Sequence, residues 1–367
     1  MDKLIGKNQS YAREINFELV IDLLRKEPRS GTQLAELLKL SNATISSIVK
    51  DLLDIGMIDV DNSHSVKGYG RKQVFYTIDE KYGLILVVNI ANRKADISLT
   101  NVKEENLVSA SMPVETLNDD VVQKIILKAN ELIFNCKNKA PLKNIIISLA
   151  GLINEETTEK HFVKKAFEDH FHDVPTFVTN DGNLYAYGEL AKGGFSQENN
   201  GIFVLFDYGI GGSFIVNHKL FKGDHGFSGE MGCLPTEGDG KFDYLEDVIS
   251  LRVLMHKAEE MTGSKVNIEK LFELFKDDKE IHQMVLDSAI RLGKTLKSLI
   301  NVLDISKVVI NGRGINFGEE YLEAIRKETN SSFRKCIIEY SELKEKGLVI
   351  GGASIGVDYI LRKALEK

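Results

Sequence analysis

The sequence predicts an α/β protein in which a small helical domain precedes two α/β segments. Residues 1–80 show short amphipathic helices and then one pair of strands. Near Tyr82 the pattern changes to three consecutive apolar strands, a helix and a buried strand. Residues 201–221 repeat the hairpin that opens this second segment. The expected domains are 1–80, 81–195 and 196–367.

The elements of the two α/β segments follow from apolar periodicity. In the first segment the expected strands are 84–90, 95–100, 107–113, 144–149 and 176–179, with helices at 119–136 and 184–191. In the second segment the expected helices are 251–261, 267–275, 280–302 and 354–365, with a short strand at 308–310. Gly351 and Gly352 are interpreted as the opening of the last helix.

Composition indicates a cytosolic globular protein. The chain has 367 residues, which is too long for one ordinary domain, and 43% of them are hydrophobic. It has no run of 18 apolar residues, so we expect no membrane span, and its N-terminus has no apolar signal core. The three cysteines are scattered and odd in number, which favours a reduced, cytoplasmic protein without a disulfide framework.

The distribution of charge leaves nucleic-acid binding open. The net charge is −7, but residues 1–82 contain twelve Lys/Arg and twelve Asp/Glu and are neutral. The rest of the chain therefore carries the whole negative charge. DNA binding requires a local basic face, not a basic protein.

Residues 30–56 predict a helix-turn-helix. Ser30 and Ser41 stand at N-cap positions of helices at 31–38 and 42–55, and Gly56 ends the second of these. Two short helices joined by so tight a turn are typical of this DNA-binding motif.

The helix at 42–55 has two different faces. Its apolar residues recur at i, i+3, i+4 and i+7 and should face inward; they are Ile45, Ile48, Val49 and Leu52. The opposite face is small, polar and basic, as a helix in the major groove requires. The residues expected to contact DNA are Ser41, Asn42, Ala43, Thr44, Ser46, Ser47 and Lys50.

A basic tip follows this helix. Two expected strands, 57–61 and 73–78, flank a segment that contains Lys67, Arg71 and Lys72 and no acid. We interpret it as a wing that contacts DNA. The alternative is a solvated hairpin of a small helical domain without a DNA-binding role.

A glycine-rich turn between two apolar strands predicts a ligand site. Gly209, Gly211 and Gly212 would let backbone N–H groups approach an oxygen-rich ligand. Glu230 and Glu246 follow and could accept hydrogen bonds from hydroxyl groups.

Four stretches together resemble the ROK family of repressors and sugar kinases. They are TNDGN at 179–183, YGIGGSFIVNHKLFKGDHGFSGEMG at 208–232, LEDVIS at 245–250 and, for the repressor branch, LAELLKLSNATISSIVKDLLDIGMI at 34–58. The resemblance implies an actin-like ATPase/hexokinase (ribonuclease H-like) two-lobed fold with an N-terminal winged helix-turn-helix domain. It also implies that a sugar binds between the lobes.

The resemblance also implies a set of ligand-binding residues. These are Gly151, Asn180, Asp181, Glu230, Cys233 and Glu246. Asp181 matches the position of the catalytic base in the kinase branch. Cys233 stands where the family has a histidine that contacts sugar hydroxyls. For Asp181 a second role stays open, as the cap of the helix that begins near Leu184.

The first hairpin departs from the kinase pattern. The kinase branch has an acidic residue and a threonine in this turn, whereas this chain has Asn89 and Arg93. Asparagine lacks the anionic oxygen that Mg²⁺ favours, and a bulky arginine would obstruct a phosphate. We therefore expect no phosphoryl transfer and no nucleotide cofactor.

The zinc pattern of the family is also altered. Relatives use one histidine and three cysteines, whereas here Cys233 takes the histidine position, and Glu237, Asp239 and Tyr244 fall near the cysteine positions. Structural zinc favours four N/S ligands. The sequence predicts no metal at this site.

Three functions remain open at this stage. The leading hypothesis is a sugar-responsive transcriptional repressor of carbohydrate-metabolism genes, which binds double-stranded operator DNA as a homodimer or tetramer. The second is a sugar kinase with an appended helix-turn-helix, which Asn89 and Arg93 disfavour. The third is a constitutive DNA-binding regulator with a vestigial sugar site, which the retained acids disfavour and Cys233 favours.

Overall fold

The structure, a computed structural model, describes residues 9–61, 73–151, 158–237, 242–330 and 335–365. Within those ranges no helix combines the length and the apolar content that crossing a bilayer requires. The expected wing tip, with Lys67, Arg71 and Lys72, lies outside the described residues, and so does Asp239.

The N-terminal domain contains three helices and a three-stranded antiparallel sheet of order β1-β3-β2. The elements are α1 (Gln9–Lys26), β1 (Arg29–Ser30), α2 (Gly31–Leu38), α3 (Asn42–Asp54), β2 (Ile58–Asp61) and β3 (Phe75–Ile78). Both predicted caps are confirmed. Ser30 forms a capping box with Gln33, and the Ser41 hydroxyl accepts a hydrogen bond from the Thr44 backbone N–H at 3.1 Å.

The two faces of α3 are confirmed as well. Its four expected inward residues are buried, at most 4% exposed, in one cluster with α1 and α2: Ile45, Ile48, Val49 and Leu52. The residues on the other side are exposed: Asn42, Ala43, Ser46, Ser47 and Lys50. Helix α3 thus presents a small, polar surface to the outside.

The first lobe has a five-stranded sheet of order β6-β5-β4-β7-β8. Its elements are β4 (Leu84–Ala91), β5 (Lys94–Asn101), β6 (Asn106–Pro113), α4 (Asp119–Asn135), β7 (Leu142–Leu149), α5 (Thr158–His170), β8 (Thr176–Asn180) and α6 (Asp181–Lys192). Strands β4, β7 and β8 are parallel, so Ile90, Leu149 and Asn180 lie in one row at the carboxyl edge.

The second lobe repeats this topology, with the sheet order β11-β10-β9-β14-β15. Its elements are β9 (Gly201–Phe206), β10 (Ile210–Val216), β11 (Lys219–Phe221), β12 (Pro235–Glu237), β13 (Phe242–Tyr244), α7 (Leu245–Ile249), α8 (Leu251–Thr262), α9 (Ile268–Asp277), α10 (Lys279–Leu303), β14 (Lys307–Asn311), α11 (Glu319–Thr329), β15 (Ile337–Tyr340) and α12 (Lys346–Leu365). In both lobes a three-stranded antiparallel meander continues into two parallel strands. The expected two-lobed α/β fold is confirmed.

Each lobe is covered by a helix from the other lobe's part of the chain. Helix α12 packs on β4 and β7 of the first lobe, although the sequence analysis assigned all of 196–367 to the second lobe. Helix α6 packs on the second lobe, where Ala186 and Leu190 join Phe203 and Ile215 in one buried cluster. The expected boundary between residues 195 and 196 thus separates the two sheets, but α12, which comes after it in the chain, packs on the first lobe.

Glycines bring α6 and α12 into direct backbone contact. A Cβ atom at Gly351 would overlap the Leu184 carbonyl oxygen, and one at Gly188 would overlap that of Gly347. The prediction that Gly351 opens the last helix was wrong, because this helix already begins at Lys346. Glycine inside α12 serves the close approach of the helices.

The N-terminal domain packs directly on the first lobe. Phe17, Ile21 and Leu24 of α1 belong to one buried cluster with Val357 and Ile360 of α12. The DNA-binding candidate is therefore held by an apolar interface as well as by the chain connection after β3.

Replacing Gly351 by alanine should lower the free energy of unfolding by about 1–3 kcal/mol, because the added methyl group forces the two helices apart. Gly31→Ala is the matched control. The nearest atom to a Cβ there is 3.9 Å away, so this change should be neutral or stabilising by up to about 1 kcal/mol. Thermal and denaturant unfolding measure both, and equal effects would contradict the proposed close contact.

Candidate functional site

The start of α6 brings Asn180 and Asp181 to the cleft. Asn180 is the N-cap, and its side-chain oxygen accepts a hydrogen bond from the Asn183 backbone N–H at 2.8 Å. The Asp181 carboxylate instead accepts the backbone N–H of Gly182 at 2.9 Å. The capping role considered for Asp181 therefore belongs to Asn180. Because the cap uses the side-chain oxygen of Asn180, its amide nitrogen is the group that can donate a hydrogen bond to a ligand.

Asp181 and Glu230 form an acidic pair across the cleft. Burial, with a smaller contribution from Asp207, raises the pKa of Asp181 to about 6. Burial and the charges of Asp181 and Glu246 raise the pKa of Glu230 to about 7. The charge of Asp181 thus acts on Glu230, and both carboxylates can accept hydrogen bonds.

Glu246 holds the glycine-rich turn of the second lobe. One of its carboxylate oxygens accepts the backbone N–H of Ile210 at 2.9 Å. A Cβ at Gly209 would lie only 2.6 Å from that oxygen, so the turn requires glycine here. Glu246 therefore supports the turn besides facing Glu230.

Cys233 and Gly151 complete the expected set. Cys233 ends a short 3-10 turn (Met231–Cys233) and is exposed. Burial and the neighbouring carboxylates Glu230 and Glu246 raise the pKa of its thiol, which keeps it protonated and able to donate. Gly151 follows β7 with a φ of 100°, at the carboxyl edge beside Asn180. Asn180 and Gly151 thus lie at the carboxyl edge of the first sheet, and Glu230, Cys233 and Glu246 lie near one another in the second lobe; a shared ligand site stays a prediction.

Sequence reasoning missed a hydrogen bond between the lobes. The Ser213 hydroxyl on β10 donates to the Asn183 side-chain oxygen on α6 at 3.0 Å. Asn183 was part of the TNDGN motif, but no periodicity or spacing indicates its partner. This bond fixes the start of α6 to the second lobe next to Asp181.

A second missed feature joins two turns of the second lobe. The Asp207 carboxylate accepts hydrogen bonds from the Arg313 backbone N–H at 3.2 Å and from its Nε at 2.9 Å. The Arg313 guanidinium also lies 4.1 Å from the centre of the Tyr208 ring. The sequence signal that could have indicated this contact is an arginine between two glycines, Gly312-Arg313-Gly314, directly after β14. Its side chain lies beside the glycine-rich turn.

The turn of the first hairpin is a tight one. Asn92 and Arg93 form the two-residue turn between β4 and β5, both left-handed with φ of 54° and 59°. The Asn89 side-chain oxygen accepts a hydrogen bond from the Ser148 hydroxyl at 2.6 Å. That oxygen is therefore engaged within the first lobe.

The residues around Cys233 do not fit a structural zinc ion. Cys136 lies in the core of the first lobe, and Cys336 lies beside β15, so no second thiol accompanies Cys233. In the described part of the chain, no three His, Cys, Asp or Glu residues are placed to share a metal. Because carboxylates and one thiol are a poor donor set for zinc, the absence of zinc stays our prediction.

The candidate nucleic-acid interface is the exposed face of α3. Ser46, Ser47 and Lys50 point away from the core, whereas the Ser41 and Thr44 hydroxyls lie 2.8 Å apart and bond to each other. The latter two are thus partly used by the helix cap. The remaining basic candidates belong to the wing tip outside the described residues.

Three comparisons relate the chain to known proteins. The profile of the ROK family matches residues 86–358. A xylose repressor from Caldicellulosiruptor bescii is 23% identical, over 94% of this chain and 96% of its own length. A ROK family transcriptional regulator, described as a homologue of the Escherichia coli MLC protein, superposes with a TM-score of 0.80 at 19% identity and covers 97% of this chain and 100% of its own.

A kinase of the same fold matches a smaller share of this chain. The ROK family glucokinase from Streptomyces griseus, solved with glucose and AMPPNP, has a TM-score of 0.63 and 19% identity. It covers 99% of its own chain but only 74% of this one. The glucokinase thus matches about three quarters of this chain, whereas the regulator matches nearly all of it.

The raised pKa values of Asp181 and Glu230 predict a pH dependence of stability. The folded protein binds these protons more tightly than the unfolded chain, so stability present near pH 4 is lost as the pH rises towards 7. Asp181→Asn should remove part of this loss. The unfolding free energy of the variant, relative to that of wild type, should therefore increase as the pH rises from 4 to 7. Asp173→Asn, an exposed site, is the control and should run parallel to wild type. A constant difference between Asp181→Asn and wild type would contradict the raised pKa.

Proposed function

The chain belongs to the ROK family, and we propose that it is a cytoplasmic, sugar-responsive repressor of carbohydrate-metabolism genes. The observation that carries this proposal is the helix-turn-helix domain, with its exposed polar face on α3, packed directly on a two-lobed body with an acidic cleft. Relatives along nearly the whole chain are named xylose repressors. Their names are the reason for proposing a sugar as the signal.

The DNA half of the proposal rests on α3. Small residues allow the helix to approach the floor of the major groove, while Ser46, Ser47 and Lys50 offer donors to base edges and phosphates. We propose that the wing adds contacts through Lys67, Arg71 and Lys72, with Arg71 entering the minor groove. A homodimer or tetramer would place two such helices on an operator with two half-sites.

The sugar half rests on the cleft. Asp181, Glu230 and Glu246 would accept hydrogen bonds from sugar hydroxyls, and Asn180 and Cys233 would donate. Gly151 lets the backbone approach the ligand. Because these groups come from both lobes, a bound sugar would favour a closed cleft, and the difference between open and closed states would be passed to DNA binding.

Phosphoryl transfer is not part of the proposal. Asn89 carries no charge and its oxygen is bound to Ser148, so it is a poor partner for a metal-nucleotide. Arg93 fills the turn, and Arg313 lies beside the second glycine-rich turn. The kinase remains the second candidate because the family contains kinases of this fold, such as the glucokinase.

Lys50→Gln should weaken binding to operator and to unrelated DNA alike and reduce the slope of log K against log salt by about 0.9, since one phosphate contact is lost. Lys165→Gln on α5, exposed and far along the chain from α3, is the control and should leave the slope unchanged. Fluorescence anisotropy titrations at several salt concentrations measure both. Equal slopes for all three proteins would remove Lys50 from the interface.

Asp181→Asn should weaken sugar binding roughly ten- to a hundredfold, because a hydrogen bond to a charged group contributes about 1.5–3 kcal/mol. A thermal-shift screen with D-xylose, D-glucose and other aldopentoses, hexoses and N-acetylhexosamines identifies the ligand first. Asp173→Asn controls for the loss of a carboxylate. Operator binding by the sugar-free variant should stay unchanged, and sugar phosphorylation by wild type with ATP would favour the kinase instead.

A further inference from the structure

A buried carboxylate lies where the DNA-binding domain meets both lobes. Glu104 stands in the turn between β5 and β6, and its side chain is only 3% exposed. Asn101 organises this turn, since its side-chain oxygen accepts the backbone N–H groups of Lys103 at 2.9 Å and Glu105 at 3.1 Å. Glu104 itself has a left-handed φ of 61°, which is unfavourable for a residue other than glycine. The fold thus holds this carboxylate in place at some cost.

Two cations from different elements meet at Glu104. Arg25, near the end of α1 in the DNA-binding domain, forms an ion pair with it. Lys192, the last residue of α6, places its ammonium nitrogen 3.0 Å from the other carboxylate oxygen. Burial and the nearby Arg25 charge lower the pKa of Lys192, as expected for two cations that share one acceptor. We name these three residues the ion cluster.

Arg25 also binds α12. Its guanidinium donates to the Ser354 hydroxyl and to the Asp358 carboxylate, each at 3.2 Å. Since α12 packs on the first lobe, Arg25 ties α1 to that lobe through Glu104 and α12 at once. Lys192 reaches the ion cluster from α6, the first-lobe helix that packs on the sheet of the second lobe.

Helix α6 connects the ion cluster to the sugar cleft. It begins at Asp181 and ends at Lys192, so it spans about 18 Å at 1.5 Å per residue. It packs on the sheet of the second lobe, and Asn183 binds Ser213 of that lobe. Asp181 in the first turn of α6 belongs to the proposed ligand site, so a shift of this helix on ligand binding is carried to Lys192 at its other end.

We propose that the ion cluster of Arg25, Glu104 and Lys192 couples occupancy of the cleft to the position of the DNA-binding domain. This inference rests on the proposed function, because it requires a ligand in the cleft. A shift of α6 changes the distance between Lys192 and Glu104. Arg25 must then balance more or less of the negative charge of this buried carboxylate. Helix α1 then shifts its position on the surface of α12, and the DNA-binding domain, which carries α3, moves with it.

The test uses the full chain and hydrogen–deuterium exchange. The probe is whichever sugar of the screening panel raises the unfolding temperature of wild type most. In wild type, the sugar should slow exchange at the start of α6 and change the exchange rate of α1 amides roughly fivefold or more, as for an ordinary allosteric coupling. Lys192→Met should keep the first effect and lose most of the second.

Three further variants separate coupling from stability. Lys192→Arg keeps the positive charge and should restore the response of α1. Lys270→Met removes a lysine of similar exposure from an ion pair on α9 and should behave like wild type. Glu104→Gln keeps the shape of the side chain and should lose the response as Lys192→Met does. Lys192 is 44% exposed and Glu104 keeps Arg25, so Lys192→Met should fold.

The outcomes distinguish this inference from the proposed function. If the sugar protects the cleft of Lys192→Met and α1 still responds as in wild type, the ion cluster is not the coupling element, while the regulator remains. If no sugar of the panel stabilises wild type, the proposed effector site fails and the coupling fails with it. Loss of the α1 response in Lys192→Met and Glu104→Gln, with recovery in Lys192→Arg, supports the inference.

Discussion

The backbone contact between α6 and α12 is the constraint on which the rest of the structure depends. Two helices can touch so closely only where side chains are missing, and Gly188, Gly347 and Gly351 provide this. Each helix covers the sheet of the lobe that its partner does not cover. The contact therefore joins the two helices between the sheets of the two lobes, and α12 also provides the surface on which α1 packs.

The chemistry of the cleft follows from this arrangement. Parallel strands end at one edge of the first sheet, so Asn180 and Asp181 face the glycine-rich turn of the second lobe. The acids then lie in a partly buried space, where desolvation raises the pKa values of Asp181 and Glu230, and the charges of Asp181 and Glu246 raise that of Glu230 further. In the proposed function, the hydroxyl groups of a sugar would donate hydrogen bonds to these acceptors.

Polar side chains at two places that border the cleft are engaged within their own lobes. Asn89 with Ser148, and Asp207 with Arg313, are bonded to each other at the two turns that border the cleft. In the proposed regulator, the two-lobed body would keep a sugar site while these side chains are engaged internally, and closure around the sugar would move the added N-terminal domain.

The sequence by itself determined the local features. Ser30 and Ser41 cap their helices, the faces of α3 are as expected, and the repeated hairpin predicted the second lobe, because all of these depend on neighbours within one or two turns of the chain. The family resemblance supplied the candidate ligand-binding residues and the actin-like fold, which periodicity alone would not have given.

Only the tertiary structure decided the long-range arrangement. It placed α12 on the first lobe, explained Gly351 by a contact with Leu184, and paired Arg25 with Glu104 and Lys192. These partners are distant in the chain, and no local pattern distinguishes a buried ion pair from three surface charges. The physical reason is that packing and desolvation, which give such contacts their role, are properties of the assembled lobes.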